Sequence, residues 1–391
     1  MSLKTISKYY TLTAILLFNI FLFFVLVNAF SFIIFKINNY FKEKNIVAEK
    51  YGESILKEVY PDWSGEEIDK LLNETWSRNF TYEPFTQFKE RPFSGKYVNV
   101  DKNGFRVTKN QGPWPPDSEN FNIFLFGGST TFNYGLPDEQ TIASYLQDYL
   151  SEVSLGKKRV AVYNFGRGNY FSTQERILFE QLLASDFRPN LAIFIDGLNE
   201  FYYPEDKPVF TKQLEQIVGE RVQALKYLTG QALEKLPMTK AALFLRDLIF
   251  KKEISGNEEK YNDPELIKSV INRYLENKKL IEGAAAVYNV KTVFVWQPSP
   301  LYKYDLKYHP FAKEDFERHT YSKYGYPQMA KVKEEKSLGN NFLWAADIQE
   351  QERKSLYVDM VHYTAKMSQT IAKIISNFLI EKNFYDQLLG S

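Results

Sequence analysis

Two short blocks carry residue types that could perform nucleophilic chemistry. The first is Gly127-Gly128-Ser129-Thr130-Thr131, and the second is Asp359-Met360-Val361-His362. A serine hydroxyl becomes a nucleophile only beside a base, and the base needs an acceptor to orient it. Ser129, His362 and Asp359 are the residue types for those three tasks. A third block, Gly197-Leu198-Asn199, offers a side-chain amide that can donate to an oxyanion. A fourth, Asn164-Phe165-Gly166-Arg167-Gly168-Asn169-Tyr170, offers backbone N–H groups. Taken singly, each block has a plain reading: a βα turn, a surface histidine, a turn or capping asparagine, a glycine-rich turn. The first block is not a phosphate-binding loop, because the Gly-Lys-Ser/Thr ending is absent.

The elements around these blocks decide whether they can meet. Phe121–Phe126, Val160–Asn164, Leu191–Ile195 and Lys291–Trp296 are short apolar runs that read as buried strands, and Phe342–Ala346 is a weaker fifth. Helical spacing fills Glu139–Leu150, Ser172–Ala184, Pro264–Tyr288 and Thr364–Ile380. Strands alternating with helices predict a parallel sheet covered on both faces. The four blocks then fall at the C-terminal ends of strands one, two and three and just before the last helix. In a parallel sheet those ends share one edge, where such folds build their sites.

Blocks in this order resemble the SGNH (GDSL-type) hydrolase superfamily over about residues 120–382. The resemblance implies a three-layer α/β/α sandwich with a flavodoxin-like parallel sheet of about five strands. It also implies ester chemistry: Ser129 as nucleophile, His362 as base, Asp359 as its orienting partner, and an oxyanion hole of the Ser129 N–H, a backbone N–H of the second block and the Asn199 side chain. Two departures stand out. Gly128 occupies a position where many members have Asp. The second block usually reads Asn-x-x-x-x-Gly, which counted from Asn164 reaches Asn169, with Gly168 one residue earlier. We assign the oxyanion donor to Asn169, with Gly168 as the alternative.

Residues before the catalytic region divide into a tail at 1–9, an apolar segment at 10–35 and an approach segment at 36–118. From Tyr10 to Phe35 no residue is charged. At about 1.5 Å per residue that run reaches about 39 Å, long enough for a hydrocarbon core of about 30 Å. It reads as a transmembrane signal anchor. Val27-Asn28-Ala29 has a small-residue cleavage pattern, so a cleaved signal peptide is the competing reading. Lys4 and Lys8 before the segment and Lys36, Lys42 and Lys44 after it give weak orientation. The short leading tail places the bulk of the chain on the extracytoplasmic side. In the approach segment, Asp62-Trp63-Ser64 followed by Glu66-Glu67 reads as a helix start with helical periodicity over Ile68–Trp76, Gly95–Val107 reads as a hairpin turning at Lys102-Asn103-Gly104, and Gly112–Asn120 is a Pro-rich boundary. The hydrolase-like region spans 119–382, with a helical insertion at 202–260 and a lid-like one at 298–341; 383–391 is a tail.

The 391 residues include 49 Lys+Arg and 48 Asp+Glu, which removes the electrostatic case for nucleic acid. The absence of cysteine excludes disulfides, Cys-ligated metals and a cysteine nucleophile. No metal-ligand spacing and no dinucleotide fingerprint appear, so no cofactor or metal is expected. His309 and His319, the other histidines, read as exposed loop residues. Arg167 and Glu200 read as substrate contacts or an ion pair, and Trp296 as core packing or a sugar platform. The expectation is a membrane-anchored serine esterase acting on an O-acetylated or otherwise acylated envelope glycan or lipid. An O-acyltransferase with the same triad, and a catalytically silent scaffold or glycan-binding protein, are the alternatives. Protein partners are unspecified.

Overall fold

The computed structural model describes residues 3–41, 52–154, 157–219, 221–249, 258–312 and 315–384. The expected tail at 383–391 therefore lies almost wholly outside the described residues, as do Lys42 and Lys44. The chain divides into two compact units, Met1–Lys44 with Phe210–Ser255, and Asn45–Val209 with Gly256–Ser391.

In the first unit, helix α1 (Leu3–Phe41) contains one stretch, Thr5–Lys36, long and apolar enough to cross a membrane. Most of its apolar side chains are exposed, while Val27 and Phe35 are half-buried. Part of the helical insertion belongs to this unit rather than to the second.

The second unit is built around five strands. The approach segment contributes α2 (Glu53–Val59), α3 (Gly65–Trp76) and two small strand pairs, β1 (Phe80–Glu83) with β2 (Gln87–Glu90) and β3 (Phe93–Ser94) with β4 (Asn99–Val100). Ser64 and Glu67 form a reciprocal capping box at the start of α3. Then follow β5 (Phe121–Gly127), α4 (Ser129–Phe132), α5 (Ile142–Ser154), β6 (Val160–Asn164), α6 (Ser172–Ala184), β7 (Leu191–Asp196) and α7 (Leu198–Tyr202). In the first unit, α8 (Thr211–Val218), α9 (Arg221–Glu234) and α10 (Pro237–Ile249) come next. The second unit resumes with α11 (Pro264–Val287), β8 (Lys291–Trp296), α12 (Tyr321–Glu335), β9 (Phe342–Trp344) and α13 (Ala365–Glu381).

The sheet order is β6-β5-β7-β8-β9, and all four pairings are parallel. The parallel pairing is what the strand–helix alternation predicts, and the order is the flavodoxin-like one that the family resemblance implies. Residues of β5 alternate between the two faces. Phe121, Ile123 and Leu125 join the core shared with α5 and α13. On the other face Phe126, Phe194 and Phe294 stack in a row, with centroids 4.8 and 5.3 Å apart. Burial on both faces is why these strands read as continuous apolar runs.

The expected hairpin at Gly95–Val107 forms only in part. Its turn is present, with the Gly104 N–H donating to Asp101 O (2.9 Å), and its arms pair where the Asp101 N–H donates to Phe105 O and the Val107 N–H to Asn99 O (both 2.9 Å), while β4 also pairs with β3. Arg106 bridges Val100 on one side and Asn164 on the other. The reason is its fully buried guanidinium, which donates to Asp138 Oδ1 (2.9 Å) and to the carbonyls of Phe132 (2.6 Å) and Asn133 (2.8 Å). That network draws the second arm onto the loop after Ser129.

Candidate active site

β5 ends at Gly127, and Ser129 opens the short helix α4 with Gly128 as its N-cap. Ser129 is half-buried at this strand-to-helix turn. A β-carbon at Gly128 would overlap the Asn199 amide and come 3.0 Å from Tyr170 O. The absence of that carbon brings the Asn199 side chain against the turn, a physical reason for glycine at this position. Asn199 Nδ2 donates one hydrogen bond to Tyr170 O (2.7 Å), which leaves its second N–H for another acceptor.

Asp359 and His362 lie in the loop before α13. His362 Nδ1 is 2.7 and 2.9 Å from the two Asp359 carboxylate oxygens. Asp359 Oδ1 also accepts the backbone N–H groups of Val361 (3.0 Å) and His362 (2.9 Å). Burial alone would raise the Asp359 carboxyl, but His362 and these N–H donors outweigh it and hold it down at about 2. His362 Nε2 is buried and has no hydrogen-bond partner among the described residues. The imidazole lies flat on Tyr134 (5.5 Å between centroids, 19° between planes) and meets Trp76 edge-on (5.4 Å).

Two contacts tie the serine turn to the histidine loop. Gln297 Oε1 accepts from the Thr130 hydroxyl (2.7 Å) and from the Tyr363 hydroxyl (3.1 Å), so the neighbours of Ser129 and His362 share one acceptor. Tyr134, which stacks on His362, donates its N–H to Ser129 O (3.2 Å).

The loop after β6 packs on the same turn. Asn164 Nδ2 donates to Thr131 O (3.0 Å), and the Arg167 N–H donates to Gly127 O (3.0 Å). The Gly168 N–H is occupied: it donates to Glu90 Oε1 (2.9 Å). A β-carbon at Gly168 would lie 2.6 Å from the Tyr134 hydroxyl, so close packing accounts for this glycine. Asn169 takes a left-handed conformation (φ 64°), which asparagine tolerates well, and its Oδ1 accepts from the Tyr203 hydroxyl (2.8 Å). Its N–H makes no hydrogen bond among the described residues.

The two other histidines are not exposed loop residues. His309 is buried flat against Tyr357 (4.9 Å). Its Nδ1 accepts from the Phe311 N–H (3.2 Å), so the proton sits on Nε2, which donates to Met360 O (3.2 Å) inside the Asp359–His362 loop. Burial pushes its pKa down to about 4. His319 packs on Tyr202 (4.4 Å), and burial together with the charge of His362 lowers it to about 3. The Tyr/Lys-rich stretch folds inward through its aromatic residues, which periodicity could not reveal. Trp296 is fully buried among Tyr274, Tyr326 and Trp344, which is core packing. Glu200 is buried, pairs with Arg273 (3.2 Å) and accepts the Ser172 N–H (2.6 Å). Arg167 is buried with Nη1 donating to the Tyr170 hydroxyl (2.8 Å). Trp76, Glu90, Tyr134 and Gln297 were not singled out from the sequence. Only Tyr134 and Gln297 stood near a recognised block; Trp76 and Glu90 had no local signal.

A family model described as GDSL-like lipase/acylhydrolase matches residues 123–375. The chain belongs to the GDSL-like lipase/acylhydrolase family. It is therefore a serine ester hydrolase on the SGNH fold, as the order of its blocks implied. No curated protein matches this family member. Among solved structures it is similar to the psychrotrophic esterase EstA from Pseudoalteromonas sp., with 12% identity over 67% of this chain and 98% of that one and a TM-score of 0.34. It is also similar to Est24, a carbohydrate acetylesterase from Sinorhizobium meliloti (10% identity, 66% and 98% covered, TM-score 0.33). A third similar structure is LAE5, an alpha/beta hydrolase enzyme from the metagenome of Lake Arreo, Spain (14% identity, 70% and 99% covered, TM-score 0.33).

Proposed function

We propose that this hydrolase is a membrane-anchored esterase that removes an acyl group, here assigned as acetyl, from an envelope glycan or lipid through an acyl-Ser129 intermediate. The observation that carries the chemistry is the Asp359–His362 pair, whose Nε2 has no partner among the described residues and whose ring rests on the residue that hydrogen-bonds Ser129 O. In this reading His362 Nε2 takes the proton as Ser129 Oγ attacks the ester carbonyl. Asp359 fixes the Nδ1–H tautomer and stabilises the imidazolium. The oxyanion is held by the Ser129 and Asn169 N–H groups and by the free Asn199 N–H. The tetrahedral species collapses, the C–O bond to the alcohol breaks, and His362 returns its proton to that alcohol. Water, deprotonated by His362, then attacks the acyl carbon; the Ser129 Oγ–acyl bond breaks, His362 returns that proton to Ser129 Oγ, and the carboxylic acid leaves.

Membrane anchoring is supported by α1. Asn28, one of its few polar residues, accepts the Met238 N–H at the start of α10 (3.3 Å), a contact that cleavage after Ala29 would remove. The acetyl and envelope assignments rest on the family's ester chemistry and on that anchor, with the bulk of the chain placed on the extracytoplasmic side.

The test is hydrolysis of p-nitrophenyl acetate by the full chain in detergent, beside Ser129→Ala and His362→Ala. Both variants are expected to lose at least about 10³-fold in kcat. Equal rates in all three proteins would overturn the assignment. Release of acetate from acetylated polysaccharide against release of longer acids from lipid then identifies the substrate class.

A further inference from the structure

We propose that Glu90, from the approach segment ahead of the family-matched region, is a positioning residue that sets the oxyanion loop and the general base together. Glu90 lies at the end of β2 and is 1% exposed. Its carboxylate accepts three hydrogen bonds. Oε2 takes Arg78 Nη1 (2.9 Å), and Oε1 takes both the Tyr134 hydroxyl (2.8 Å) and the Gly168 N–H (2.9 Å).

The last two bonds point at different halves of the site. Holding the Gly168 N–H turns that peptide toward Glu90. The next residue, Asn169, then takes its left-handed turn with its own N–H unclaimed, while Tyr203 holds its side chain. The family's second block departs from its usual spacing at this place, and Glu90 supplies the reason: the glycine amide has another use. Holding the Tyr134 hydroxyl fixes the ring that lies flat on His362. Arg78 anchors the carboxylate in turn. Its Nε donates to Glu74 O (2.8 Å), and its guanidinium lies over the Phe132 ring (4.7 Å). A charged acceptor is required because three donors converge on two oxygens. Glutamine cannot replace it. Its NH₂ would face either the Arg78 guanidinium or the Tyr134 and Gly168 donors, and at least one donor would lose its acceptor in either orientation.

This inference rests on the roles given to Ser129 and His362 above. The experiment measures p-nitrophenyl acetate kinetics of the full chain in detergent for wild type, Glu90→Gln, Glu90→Asp and Ser129→Ala. Rates are normalised to the sites that a fluorophosphonate probe labels at completion, and melting temperature is recorded for each protein. Glu90→Gln is expected to lower kcat per labelled site by about 10- to 100-fold, with KM within about threefold, because an oxyanion donor acts on the transition state. Binding of a boronic acid, which mimics the tetrahedral species, is expected to weaken in step with kcat/KM. Glu90→Asp keeps the charge but shortens the reach by one methylene, and is expected to show the same pattern at smaller size with a melting temperature near wild type. It serves as the readout if the Gln variant does not fold. Wild-type kcat per labelled site in both variants, or a lower melting temperature with unchanged kcat per site, would overturn the proposal. Hydrolysis surviving in Ser129→Ala would instead sink the underlying assignment. Loss there with wild-type Glu90 variants would sink this inference alone.

Discussion

Gly128 shows how one missing carbon shapes the site. Its position lets the Asn199 amide approach the turn that carries Ser129, and any side chain would displace that amide. Gly128→Ala is expected to lower kcat by about 10²-fold, as loss of one oxyanion donor does, while the fold persists. Steady-state kinetics with circular dichroism checks this; an unchanged kcat would mean that Asn199 is not needed for turnover. Asp359 and His362 were legible as a candidate pair because three residues of spacing before a helix lets both side chains face one point. That the Gly168 N–H of the second block is taken was not legible, because its acceptor is Glu90, 78 residues away in the chain.

The loop carrying Asp359 and His362 is braced as an element. His309 donates from Nε2 to Met360 O, and the Val358 N–H closes the loop on His362 O (2.8 Å). His309 is held neutral by burial down to about pH 4, whereas an unfolded chain takes up that proton near pH 6.5. Acidification between those values therefore favours the unfolded state, by at most about 1.4 kcal/mol per pH unit from this residue. Above about pH 6.5 its contribution is constant. Asp359, held at about 2, works in a separate window: its stabilisation is present above about pH 4 and lost only as pH falls toward 2. Melting temperatures between pH 7 and 4 are expected to fall less steeply in His309→Gln than in wild type; parallel curves would refute the account. At this scale the sheet strands were readable, since β5, β6, β7 and β8 are short apolar runs buried on both faces, while the half-buried β9 gave the weaker run. The β1–β2 pair was not. Its residues run from exposed Tyr82 to buried Phe88 and Glu90 and are mixed in polarity, and its place is set by long-range partners such as Gly168 and Tyr134.

Across the whole molecule, the candidate chemistry belongs to one unit and the apolar helix to the other. The protein is expected to fractionate with membranes, to resist alkaline carbonate and to dissolve only in detergent. Its intact mass is expected to include residues before Ala29. A mature protein beginning after Ala29 and soluble without detergent would replace the anchor with a secretory signal.

What the amino-acid sequence determined by itself was periodic or local. Apolar runs set the parallel sheet, a charge-free segment set the candidate span, and short blocks set the order Ser129, Asn199, Asp359, His362. Such features act over a few residues, so they survive reading in one dimension. The tertiary structure alone decided what depends on distant partners: the glycine contact at Asn199, the diversion of the Gly168 amide, the inward folding of His309 and His319, and the use of Trp76, Glu90, Tyr134 and Gln297 around the candidate triad. Buried hydrogen bonds and ring stacking are satisfied only when remote segments meet, and no spacing along the chain encodes which segments those are.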